Sequence, residues 1–168
     1  MCVFFYFWYV CLLCKHMFFY LPFVPLGLQM SSGHYIGFVD GACCSIQNLS
    51  FAAWVLYGPN DELVNLQGIC LGWTNNNITE YSAVIELLSE AVALGIRDLV
   101  IKLDSQLVVL QLNNHYSVRN PQILCMYLCV RLLERNFDYI TYDHIPRNLN
   151  TLTNALANFV LDRHLRHL

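Results

Sequence analysis

Three short motifs, each with one acidic residue, hold the side chains of this sequence that are best suited to chemistry. They are the segments 39–42 (VDGA), 76–81 (NNITEY) and 103–106 (LDSQ), and their acids are Asp40, Glu80 and Asp104. A fold that brings three carboxylates together makes a compact anionic site lined with oxygen atoms. Such a site suits a pair of Mg²⁺ ions, and hard divalent ions held in this way cleave phosphodiesters. The motifs therefore predict a metal-dependent site for phosphodiester cleavage.

The elements around these motifs predict how the acids meet. Short apolar runs bounded by turn residues predict five strands, at 35–40, 51–57, 62–71, 99–103 and 137–143. Apolar residues at helical spacing predict four helices, at 79–95, 105–112, 121–135 and 151–165. This order predicts an α/β fold with a mixed five-stranded sheet, three antiparallel strands followed by βαβ-type additions, flanked by helices. If the first and fourth strands are neighbours, Asp40 and Asp104 end them at one edge, and Glu80 at a helix start points into the gap.

Length and charge limit the other possibilities. The chain has 168 residues, enough for one domain with a full core. Charged residues make up 12% of it, the formal net charge is -3, and Lys and Arg do not cluster. Bulk electrostatics therefore do not predict a nucleic-acid partner, and local groups or metal ions would have to offset the repulsion.

The first thirty residues are almost entirely apolar and aromatic. Lys15 and His16 interrupt the run, and Pro22 and Pro25 stop a helix, so an unbroken membrane span is not expected. We interpret residues 1–33 as an extension outside the domain and residues 34–168 as the folded domain. Tethering to a membrane, or a secretory route through residues 1–30, is the open alternative. We otherwise expect no stable membrane association.

The eight cysteines do not form a zinc or disulfide pattern. Cys11 and Cys14 make one CxxC motif, but no second pair at matching spacing follows it. Reduced and largely buried thiols in an intracellular protein, in the nucleus or the cytoplasm, are therefore expected.

Residues 35 to 165 resemble a type-1 ribonuclease H domain, in particular the plant reverse-transcriptase-like branch related to retroelement polyproteins. Four motifs carry the resemblance in order, and they are 38–42 (FVDGA), 76–81 (NNITEY), 103–106 (LDSQ), and 144–147 (HIPR) with Asn150 and 154–157 (NALA) behind it. The resemblance implies the ribonuclease H-like fold. It also implies an endonuclease that cleaves the RNA strand of RNA–DNA hybrids with two Mg²⁺ ions, for which Mn²⁺ can substitute. We expect the protein to be a monomer.

The resemblance also assigns roles to single residues. Asp40, Glu80, Asp104 and Asn154 match the family's metal ligands. His144 matches a mobile histidine that assists proton transfer and product release, which suits a side chain that titrates near neutral pH. Asn76, Asn77 and Gln106 match residues that contact the minor groove of the hybrid, where amides can read base edges and the 2′-hydroxyl.

Asn154 departs from the family pattern, which has an aspartate at this position. An asparagine keeps a carbonyl oxygen but loses the negative charge, so the ion on that side should bind more weakly. Losing one preorganised electrostatic group often slows an enzyme by ~10²–10³. The sequence therefore predicts a weakened nuclease. The alternative is a catalytically inactive nucleic-acid-binding module derived from a retroelement.

Overall fold

The computed structural model of the chain describes residues 33–44, 48–153 and 155–156. The strands in this part of the chain are β1 (Tyr35–Cys44), β2 (Leu49–Tyr57), β3 (Leu63–Gly72), β4 (Asp98–Leu103) and β5 (Tyr139–His144). The helices are α1 (Asn76–Ala93), α2 (Gln106–Leu112) and α3 (Pro121–Glu134), followed by a 3-10 turn at Arg147–Leu149. Residues 151–153 and 155–156 are helical as well, and the rest of the last predicted helix lies outside the described residues.

The strands form one mixed sheet in the order β3-β2-β1-β4-β5. β1 pairs antiparallel with β2, and β2 with β3, whereas β4 is parallel to both β1 and β5. The predicted α/β fold, with three antiparallel strands and two parallel additions, is therefore confirmed. The expectation that the first and fourth strands are neighbours is confirmed as well, and the convergence of Asp40 and Asp104 depends on it.

Strand β1 is longer than predicted. The prediction that it ends at Asp40 and turns at Gly41 is wrong, because its ladder with β2 continues from Asp40 opposite Ala53 to Cys44 opposite Leu49. A glycine after an aspartate often marks a turn, but here cross-strand pairing decides the conformation. Asp40 thus lies within a strand, where the backbone fixes its position more firmly than a turn would.

Helix α1 packs against β1 and β2 and forms the centre of the core. It begins three residues earlier than predicted, because the Asn75 side chain accepts a hydrogen bond from the Ile78 N–H at 3.1 Å and caps it. Strand β1 approaches the helix closely, since a Cβ on Gly37 would lie 2.4 Å from a Leu87 methyl carbon. Burial of a leucine such as Leu87 stabilises the fold by about 1.5–3 kcal/mol. This packing holds the helix that carries Glu80 against the strand that carries Asp40.

The cysteines described are Cys43, Cys70, Cys125 and Cys129, and all four are free thiols. Cys43 and Cys125 are exposed, so the expectation of largely buried thiols is wrong for these two. Within the described ranges, the helices are too short or too polar to cross a membrane. Residues 1–32 lie outside those ranges, so the boundary at residues 33–34 stays a prediction, as do the monomeric state and the cellular compartment.

Candidate metal centre

Parallel pairing of β1 and β4 brings two aspartates together. Val39 lies opposite Leu103 in the register of the two strands. The next residue on β1 is Asp40, and the residue that directly follows β4 is Asp104. Asp40 is 2% exposed, and one carboxylate oxygen of Asp104 is fully buried. Parallel strands carry their successive residues in the same direction, so this register alone makes the two carboxylates neighbours.

A close contact between α1 and β1 brings in the third acid. A Cβ at Gly41 would lie 2.4 Å from Thr79 Oγ1 and 2.6 Å from the Glu80 nitrogen. Only a residue without a side chain permits this approach. Glu80 therefore stands beside Asp40 in the second turn of the helix, and it is 7% exposed.

The three carboxylates form one compact cluster. One ligand oxygen from each of Asp40, Glu80 and Asp104 can be chosen so that all three lie within 4.8 Å of one another. This is the convergence that the sequence predicted. Their roles as metal ligands and catalytic groups stay predictions, because proximity by itself does not show that an ion binds.

Burial and mutual repulsion raise the pKa values in the cluster. The pKa of Asp40 rises from 3.8 to about 7, first because burial penalises its charge and then because Asp104 repels it. The pKa of Glu80 rises from 4.5 to about 9 through burial and then through the charges of Asp40 and Asp104. The positive charge of Arg147 and a hydrogen bond from the Gly41 N–H offset part of both shifts. Ionising these carboxylates therefore costs free energy, and a bound cation would offset that cost.

Two oxygen atoms of the cluster lack hydrogen-bond partners in the described part of the chain. They are Glu80 Oε2 and Asp104 Oδ2, and both are buried. Buried polar atoms are nearly always hydrogen-bonded, so each exception needs an explanation. A divalent cation bound between the carboxylates would coordinate such oxygens, and hard cations prefer oxygen ligands. The residues present therefore fit a divalent metal ion.

His144 lies at the rim of the cluster. It is the last residue of β5 and pairs with Leu103, so it ends its strand beside the end of β4, where Asp104 follows. Its side chain is exposed. An exposed histidine at this edge has the freedom that a proton-transferring side chain needs, and its catalytic role stays a prediction.

Asn76 and Asn77 lie in the exposed first turn of α1 and line a groove of about 400 Å³. Arg119 and Asn120 line the same groove from the loop before α3. Gln106 is the exposed first residue of α2 and lies outside the groove lining. The structure therefore brings two of the three predicted nucleic-acid contacts into one groove and places the third beside it.

Sequence reasoning gave no role to two residues that matter for the site. Asn150 is 1% exposed, and its side-chain amide donates a hydrogen bond to the Val39 carbonyl at 2.8 Å, next to Asp40. Arg147 acts on the cluster through its charge. Both belong to the fourth motif, but the hydrogen bond of Asn150 and the charge interaction of Arg147 reach β1 across more than a hundred residues of sequence. Asn154 lies outside the described residues, so its predicted place in the metal site is untested.

Comparisons with known proteins agree with this fold. The reverse transcriptase-like family matches residues 38–160. Ribonuclease HI of Halobacterium salinarum is 32% identical over 130 residues, which is 77% of this chain and 65% of that protein. The bifunctional protein Rv2228c of Mycobacterium tuberculosis is 36% identical over 92 residues, 55% of this chain. The chain thus spans about a quarter of the length of its mycobacterial relatives, since the match covers 25% of them.

Solved structures show the same architecture. RNase H1 of Halobacterium salinarum superposes with a TM-score of 0.74 at 32% identity, covering 78% of this chain and 99% of that one. The N-terminal RNase H domain of Rv2228c gives a TM-score of 0.71 at 28% identity, covering 74% and 96%. LC11-RNase H1, solved in complex with an RNA/DNA hybrid, has a TM-score of 0.73 at 22% identity over 78% of this chain and 99% of that one, a likeness of fold alone.

Proposed function

The chain belongs to the reverse transcriptase-like family and carries a type-1 ribonuclease H domain, and from this premise we propose that it cleaves the RNA strand of RNA–DNA hybrids with divalent metal ions. The observation that carries the proposal is the cluster of Asp40, Glu80 and Asp104, with ligand oxygens within 4.8 Å and two buried oxygens without partners. The relatives named ribonuclease H support the substrate class.

The chain's own side chains would hold the metal ions and move protons in this reaction. Asp40, Glu80 and Asp104 would hold two Mg²⁺ ions, and Mn²⁺ could replace Mg²⁺. When bound, these ions would supply Lewis-acid stabilisation for attack of water on the scissile phosphate. His144 would take up and release protons at the edge of the site, where its exposure permits movement.

Substrate contact would fall to the groove lined by Asn76 and Asn77. Asn76 and Asn77 present amide groups there, and Gln106 presents a third amide next to it. An amide both donates and accepts hydrogen bonds, so it can contact base edges and the 2′-hydroxyl that distinguishes RNA from DNA. Because the chain as a whole is acidic, affinity for the hybrid should depend on these contacts and fall steeply as salt rises.

Asn154 bears on the rate of this reaction. The family's fourth position carries an acid, whereas here the residue after the buried Thr153 is an asparagine. Its neutral oxygen would coordinate one ion weakly, so we propose a slow nuclease that depends on a high metal concentration. The same substitution favours one competing function, a catalytically inactive module that binds nucleic acid and no longer cleaves it.

A cleavage assay separates the two functions. The full chain is incubated with an RNA–DNA hybrid in Mg²⁺, in Mn²⁺ and in EDTA, and RNA fragments are followed over time. We expect slow cleavage with either metal and none in EDTA. Asp104→Asn should abolish cleavage, whereas Asp98→Asn should not, because Asp98 is exposed at the far end of the same strand. Hybrid binding without any cleavage in either metal would favour the inactive module.

A further inference from the structure

A buried hydrogen bond joins the two helices that follow the acidic motifs. The Tyr81 hydroxyl donates to Gln111 Oε1 at 3.0 Å. Tyr81 is fully buried in α1, and Gln111 in α2 is 8% exposed. Both partners are nearly free of water, so the loss of either one leaves the other with an unmet hydrogen bond.

This bond joins a residue adjacent to Glu80 with a residue near the C-terminal end of α2, seven residues after Asp104. Tyr81 follows Glu80 on α1, and α2 begins two residues after Asp104. Apolar contacts also hold the helices, but they are not directional and permit small rotations. A hydrogen bond is directional, so this one fixes how α1 and α2 are turned relative to each other.

Hydrogen bonds of the carboxylates do not set the orientation of α1 against α2, since the one that Glu80 accepts comes from the Gly41 N–H of β1. Glu80 Oε2 and Asp104 Oδ2 have no hydrogen-bond partners in the described ranges. Like charges this close push each other apart, so their spacing must be imposed by the elements that carry them. Metal affinity depends on that spacing, because Mg²⁺ demands near-ideal octahedral geometry.

We propose that Tyr81 and Gln111 are positioning residues of the metal centre, whose hydrogen bond sets the separation of Glu80 and Asp104. This inference rests on the proposed function, since it presumes that the cluster binds Mg²⁺. It assigns a role to a tyrosine and a glutamine that are not proposed as metal ligands. Gln111 also lines the groove proposed for substrate contact, so the decisive measurement is metal binding without nucleic acid. It also predicts that metal affinity changes when neither charge nor ligand is altered.

The test measures Mg²⁺ binding without nucleic acid. Isothermal titration calorimetry of the full chain gives the Mg²⁺ concentration at half-saturation, here called the Mg²⁺ midpoint, for wild type, Tyr81→Phe and Gln111→Met, and thermal unfolding gives their stability. Each variant should raise the Mg²⁺ midpoint by about fivefold, the equivalent of one typical buried hydrogen bond. The double variant should raise it no further than either single one, because both remove the same bond. Hybrid cleavage should weaken at low Mg²⁺ and recover at high Mg²⁺.

Tyr142→Phe is the matched control. Tyr142 is also buried, and its hydroxyl donates to Glu134 Oε1 at 2.7 Å, a bond between β5 and α3 that involves none of the three acids. It should lower the melting temperature and leave the Mg²⁺ midpoint within about twofold, a change too small to count as a lost hydrogen bond.

Two outcomes would overturn the inference and leave the proposed function standing. If Tyr81→Phe and Gln111→Met keep the wild-type midpoint, the hydrogen bond does not position the centre. If Tyr142→Phe shifts the midpoint as much as they do, the effect is general destabilisation. If Tyr81→Phe fails to fold, Gln111→Met decides alone. A wild-type chain that shows neither Mg²⁺ binding nor cleavage would instead overturn the proposed function and this inference with it.

Discussion

Replacing Asp40 with asparagine should stabilise the metal-free protein at pH 8 while abolishing cleavage. Asp40 is buried beside Asp104, and its pKa is raised from 3.8 to about 7. A raised pKa means that the folded state favours the protonated acid. The protonated Asp40 therefore contributes stability to the folded state. This contribution is fully present below about pH 4 and is lost as the pH rises to about 7. At pH 8 the wild type therefore carries the whole cost of an ionised, buried carboxylate.

The size of the stabilisation by Asp40→Asn follows from the rise in the pKa of Asp40. Three pH units at about 1.4 kcal/mol each give a cost of about 4 kcal/mol at pH 8 and about 1 kcal/mol at pH 4.5. The amide must itself be buried, which offsets part of the gain, so a net stabilisation of about 2–4 kcal/mol at pH 8 is expected. For a chain of this length that corresponds to a rise in Tm of about 5–15 °C.

The assay is urea unfolding of the full chain in EDTA at pH 8 and pH 4.5, for wild type, Asp40→Asn and Asp98→Asn. Asp98 is exposed, so removing its charge should change the free energy of unfolding by no more than about 0.5 kcal/mol. Adding Mg²⁺ should stabilise the wild type and Asp98→Asn more than Asp40→Asn. The reasoning fails if Asp40→Asn is no more stable than wild type at pH 8, or if its gain is as large at pH 4.5.

Three further predictions concern the same site. Gly41→Ala should destabilise the fold by about 1–3 kcal/mol and weaken Mg²⁺ binding, because the new methyl group pushes α1 away from β1. Urea unfolding with and without Mg²⁺ measures both effects, and unchanged Mg²⁺ binding would contradict this prediction. Asn154→Asp should raise the rate of hybrid cleavage by ~10²–10³; equal time courses for the two proteins would refute a metal-site role for Asn154. Mg²⁺ affinity should rise between pH 7 and pH 9, since the ion displaces protons from Asp40 and Glu80, whose pKa values are raised to about 7 and about 9. If Mg²⁺ titrations at pH 7 and pH 9 give the same midpoint, this coupling is excluded.

Much of the fold could be read from local patterns. The apolar periodicity of α1 and the turn residues before β3 depend on neighbouring positions, so the predicted elements that lie wholly within the described residues agree with the observed ones to within a few residues. The boundaries were less certain. Strand β1 passes through Asp40 and Gly41 because β2 pairs with it, with Ala53 opposite Asp40, and the motif around Asp40 does not contain that partner.

The sequence by itself determined which acids are present and which elements carry them. Only the tertiary structure decided that Val39 pairs with Leu103, that Gly41 lets α1 touch β1, and that Asn150 binds the same strand. Sheet order and register depend on packing summed over the whole core, which no local window contains. The raised pKa values are likewise tertiary, because they arise from burial and from charges that meet only after folding.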